Sequence, residues 1–119
     1  MSALELFHNL REDLAKPALD RLKADVREHY EHLLRAQKRD ELVAVDLAEL
    51  LCVRLEELLA MAHAVHADLR AHIVGAARYF ISTADAVPDD RACTGLDDDV
   101  EVFNHVVRLL DRPDLLISE

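Results

Sequence analysis

Apolar residues recur every three or four positions along almost this whole chain, a spacing that suits amphipathic helices and little else. Leu4, Phe7, Leu10 and Leu14 form one such stripe. Leu19, Leu22, Val26, Tyr30, Leu33 and Leu34 form a second, and Leu69, Ile73, Ala76, Ala77 and Phe80 a third. Val100, Phe103, Val106, Val107 and Leu110 form the last. No strand-like alternation and no repeat of ~20–50 residues interrupts them. Two glycines and three prolines in 119 residues are too few for a fold built on tight turns. The chain is expected to be all-α, a single domain over residues 1–119 folded as one bundle of four to five helices.

Boundary signals divide the bundle. Ser2 and Glu5 make a capping-box pair ahead of the first stripe. Pro17 either ends that helix or opens the next. The polar run Gln37-Lys38-Arg39-Asp40-Glu41 predicts a break. Asp46 and Glu49 then mark a new N-terminus. Leu47 through Ala67 is apolar on more than one face, which predicts the central helix of the bundle. A further helix is expected from about Asp68 to Ile81, where Gly75 and its alanine neighbours allow a close crossing. The last helix should start in Asp97-Asp98-Asp99 and end at Pro113. Residues 1–67 thus hold the N-terminal helices, and 68–112 a helical hairpin.

Charge bears on partners. The formal net charge is −10, so the average field repels phosphate, and nucleic acid is excluded as a partner. No stretch approaches the ~18 apolar residues of a membrane helix. No secretory leader is visible, and Cys52, in an apolar run, and Cys93, in an acidic one, suggest neither a disulfide framework nor a zinc site. A cytoplasmic protein with no membrane partner is expected.

The most specific segment is Ser82 to Asp99. Asp85, Asp89, Asp90, Asp97, Asp98 and Asp99 crowd around Pro88 and Gly95. From Asp85 to Glu101 there are seven acids and one base, so this segment holds −6 of the total charge. Pro88 stops a helix, Asp85 can bond its own backbone, and Gly95 can take positive φ. Acids at the start of the next helix gain about 0.3–1 kcal/mol each from its dipole. Capping accounts for two or three of these acids. The rest call for surface charge or for a bound Mg²⁺ or Ca²⁺, which Asp85, Asp89, Asp98 and Asp99 would ligate. Capping with surface charge is the favoured reading, and no resident cofactor is expected.

Laid against this segment without a gap, a known pattern matches Ser82, Asp85, Pro88, Asp89, Gly95, Asp98 and Asp99, with Val87 as an apolar match. The chain resembles here the core motif of the YkvA family, a small helical bacterial domain of unknown function. The resemblance covers about residues 69–110. It implies a helical hairpin closed by an Asp-x-x-Pro-Asp turn before the last helix, and it implies no reaction. Thr83, Asp90, Arg91 and Ala92 depart from the family's apolar and proline positions, which places a charged turn in water.

Seven histidines are many for this length. His29 and His32, and His63 and His66, are each one helical turn apart. If their helices met, the four could hold a transition metal. Half-buried or surface histidines are the simpler reading. No phosphate-cradling glycine loop and no nucleophile elbow is present, so an enzyme is not the first expectation. The leading expectation is a protein-interaction module that uses its acidic face, with a basic partner surface or a second copy of itself as partner. Asp89, Asp90 and Asp97 would face that partner, and Asp85 and Asp98 would hold the turn. The alternative is a divalent-cation-dependent hydrolase of phosphorylated small molecules.

Overall fold

In the computed structural model, which describes residues 3–37, 45–86 and 95–117, the stripes become five helices: α1 (Ala3–Leu10), α2 (Lys16–Gln37), α3 (Val45–Met61), α4 (Ala67–Ala86) and α5 (Gly95–Leu109). Short 3₁₀ turns occupy Ala62–Ala64 and Pro113–Leu115. No strand occurs among the described residues. The Cα radius of gyration, 13.4 Å, is that of a folded chain of this length.

α2 and α3 run antiparallel. Val26 and Tyr30 of α2 face Cys52 and Glu49 of α3, and the Arg27 guanidinium grips both carboxylate oxygens of Glu56. Tyr30 donates its hydroxyl hydrogen to Glu49 at 3.0 Å. Leu19, Leu22 and Val26 share the buried core with Leu51, Leu55, Leu58 and Leu59. Burial pushes the Cys52 thiol up to about 11, so this cysteine is an inert core residue.

α4, not α3, is the central helix. It packs against each of the other four, and His72 through Ala77 is buried without interruption. α3 keeps Leu50 and Val53 on an exposed face. The expectation failed because α3 is richer in leucine, whereas centrality depends on being closed over on every side; the small residues Gly75, Ala76 and Ala77 permit that in α4.

Several helix ends differ from expectation. α1 stops at Leu10, where Arg11 donates to the His8 carbonyl and Arg78 to the Leu10 carbonyl. Leu14 continues the stripe from an irregular segment and still packs on the core. Pro17 opens α2 in its first turn, where no N–H is missed. α3 ends at Met61, and Arg70 donates to the carbonyls of Ala62 and Val65 just beyond it. α5 begins at Gly95, two residues before Asp97, so Gly95 is helical; no described glycine has positive φ.

The other end of α5 is closed before Pro113. Asp111 takes φ 58°, its N–H bonds Arg108 O at 3.1 Å, and the Arg112 N–H bonds Val107 O at 3.1 Å. That pair of bonds is a Schellman motif, with aspartate where glycine is usual. Beyond it, the buried Asn104 side chain exchanges two hydrogen bonds with the Ile117 backbone, at 2.9 and 3.0 Å. The C-terminal segment is thereby pinned on α5.

Candidate functional site

The described part of the acidic segment lies where α5 starts against α4. α4 continues past Ile81 through Ala86, so Ser82 and Asp85 are on helix, and α5 resumes at Gly95. Pro88, Asp89 and Asp90 lie outside the described residues. For Asp85, Gly95 and Asp97 only the helical backbone is described. Successive positions on a helix point about 100° apart, and the first turns of α5 divide accordingly. Asp98 and Glu101, three residues apart, are exposed, whereas Asp99 is buried at 4 % exposure. Asp99, rather than Asp98, is therefore the inward acid of this turn.

Tyr79 of α4 is buried within the field of these acids. Burial first, then the charges of Asp98, Asp99 and Glu101, push its hydroxyl up to about 12. An anionic tyrosine would be both dehydrated and repelled there, so Tyr79 stays a neutral donor. The start of α5 thus forms a carboxylate rim beside a neutral phenol.

Three arginines tie elements together, and other cations pair locally. Arg27 joins α2 to Glu56 of α3. Arg70 reaches Asp13 at 2.8 Å and Arg78 reaches Glu12 at 2.9 Å, both from α4 to the segment after α1. Arg112 is held by Asp114 and Lys16 by Asp20. Half-exposed pairs of this kind contribute only about 0–1 kcal/mol each. Each pair is neutral, so the net charge of −10 resides in the acids that have no such cation.

The four histidines considered as metal ligands do not converge. The antiparallel register of α2 and α3 sets the 3₁₀ turn carrying His63 near the start of α2, about thirteen residues, or about 20 Å, from His29. His29 packs edge-on against Phe80 of α4, ring centroids 5.0 Å apart, with His32 at 6.5 Å. His63 and His66 are exposed, and His66 accepts the Asp68 N–H. Among the described residues, no three His, Cys, Asp or Glu side chains gather to hold a metal ion.

His29 and His32 instead line a groove between α2 and α4, with Asp25, Glu28, Arg35 and Ile81 around a cavity of about 360 Å³. A second cavity of about 430 Å³ continues it through Asp25 and Ile81 toward Leu10, Leu14 and Arg78. Both signs of charge line the groove, so it has no strong preference for either.

A different histidine group does form. His8 of α1, His72 of α4 and His105 of α5 surround the buried Phe7, their ring centroids 5.1–5.8 Å from its own. His8 stands 6.4 Å from His72 and 6.1 Å from His105. No spacing in the sequence announces it, because the three come from separate helices far apart along the chain.

No family model, curated protein or solved structure matches the chain. Among the described residues, no helix is long and apolar enough to cross a membrane.

Proposed function

We propose that this chain is a non-enzymatic helical interaction module of the YkvA type, which docks through its acidic face on a basic surface of a protein partner. One observation carries the reading: cross-element ion pairs consume the arginines Arg27, Arg70 and Arg78, while Asp98 and Glu101 stand exposed at the start of α5. The two helices that end at Ala86 and resume at Gly95 bracket the motif-bearing segment, which agrees with a hairpin. A charge-rich face of one sign steers an oppositely charged partner and repels a copy of itself. A basic partner therefore fits better than self-association through this face.

The hydrolase alternative needs Asp98 and Asp99 on one ion with Asp85 and Asp89. Asp98 points to solvent and Asp99 inward, an arrangement that suits one surface acid and one structural acid. Two measurements test the proposal. Affinity capture with Asp89→Lys, Asp90→Lys, Asp97→Lys and Asp98→Lys, each checked for helicity, should lose the partners that the native protein retains. Calorimetric titration with Mg²⁺, Mn²⁺ and Ca²⁺ should give no binding heat. Unchanged partners, or saturable heat, would reject it.

A further inference from the structure

The histidine group is placed where α1 is held to the rest of the molecule, and its chemistry is pH-sensitive. α1 is anchored by Phe7, which is fully buried, and Phe7 is ringed by His8, His72 and His105 from three different helices. The proton on His72 can be assigned from its partners. Nδ1 is 2.7 Å from the Asp68 carbonyl, which only accepts, so Nδ1 carries the hydrogen. Nε2 is 3.3 Å from Nη1 of Arg11, which only donates, so Nε2 offers its lone pair. His72 is thus a neutral ring holding Arg11, the first residue after α1. A second proton would remove that bond and set two cations face to face.

We propose that residues 3–14 form a latch that acid releases: protonation of the His8–His72–His105 cluster loosens α1 from α4 and α5 and uncovers the seat of Phe7. Charged groups of both signs surround the cluster. Arg11 follows α1 and Arg108 lies on α5, and both add positive charge. Glu101 of α5 opposes it, and Glu5 of α1 lies one turn before His8. Glu12 and Asp13 are already engaged by Arg78 and Arg70. Burial, then His8, His72 and Arg108, hold His105 below its ordinary 6.5, with Glu101 working against them. A base whose folded-state value is depressed contributes stability above its unfolded value and loses it as pH falls through the folded one. The latch is therefore closed above pH 6.5 and loosens below it.

Hydrogen exchange of the intact protein tests this, with rates corrected for the intrinsic pH dependence of exchange. Between pH of about 7.5 and about 5.5, protection of the Phe7–Leu10 amides should fall by about tenfold or more relative to α2 and α3. His8→Gln, at an exposed ring, should reduce that fall, and His8→Gln with His105→Gln should reduce it further, leaving only what the His72–Arg11 contact contributes. Protection of α1 that tracks α2 and α3 at both pH values would overturn the proposal. So would a native-sized fall in the double variant.

Discussion

Phe7 and Gly75 meet so closely that a Cβ on Gly75 would stand 2.9 Å from Cε1 of the phenylalanine ring and 2.9 Å from Cγ of Arg11. The arginine stem can move, but the buried ring cannot. Gly75→Ala should gain about 1 kcal/mol of helix propensity and lose about 1–3 kcal/mol to overpacking, a net destabilisation in the native background. With Phe7→Ala, itself costing about 3–5 kcal/mol, the clash is gone and Gly75→Ala should stabilise. Urea unfolding of the four-member cycle would show this change of sign; additive effects would contradict the contact.

Asp111 holds a left-handed conformation for the Schellman closure of α5. Glycine adopts that conformation without a Cβ penalty, although it loses more backbone freedom on folding. Asp111→Gly should therefore raise stability by roughly 0.5–1 kcal/mol, seen as a later midpoint in urea. A drop in stability would mean that the Asp111 side chain has a use beyond its backbone.

Asn104 makes both hydrogen bonds that tie Ile117 to α5. Asn104→Leu removes them and strands a backbone N–H and C=O, costing about 2–4 kcal/mol. The C-terminal residues 115–117 should then lose exchange protection before the helices do. Uniform loss across the molecule would contradict this local role.

Tyr79 offers a reporter for the acidic rim. Its folded-state value, about 12, lies above its ordinary 10.0. Its contribution to stability is therefore complete below pH 10 and lost as pH rises from 10 toward 12. In tyrosinate absorbance titrations against a Tyr79→Phe control, Asp98→Asn with Glu101→Gln should lower the value for Tyr79. Burial should still keep that value above 10.0. No movement would place those acids away from the phenol.

The fold class could be read from periodicity because α1, α2 and α5 each have one clear apolar stripe. Gly75 was legible as a close approach for the same reason: a lone glycine amid alanines on a buried face signals a neighbour. Other features depend on contacts that no local pattern encodes. α1 stops at Leu10 because Arg78, a residue of α4, takes its last carbonyl. α4 is central because of what surrounds it. In the candidate site, the sequence pointed to both Asp98 and Asp99 but not to which of them is buried. The helix starts two residues earlier than its acids suggested, and the buried face of α5 turns Asp99 in and Asp98 out. His8, His72 and His105 carried no signal beyond their number, since tertiary packing alone unites them.

Docking of the acidic face on a basic partner, as proposed, depends on charge. The most direct test is the affinity of the purified module for its captured partner at about 50 and about 300 mM salt, with and without Asp98→Lys and Glu101→Lys. The native affinity should fall steeply with salt, and the double reversal should weaken low-salt binding by about tenfold or more with its salt dependence much reduced. An affinity indifferent to both salt and reversal would contradict it.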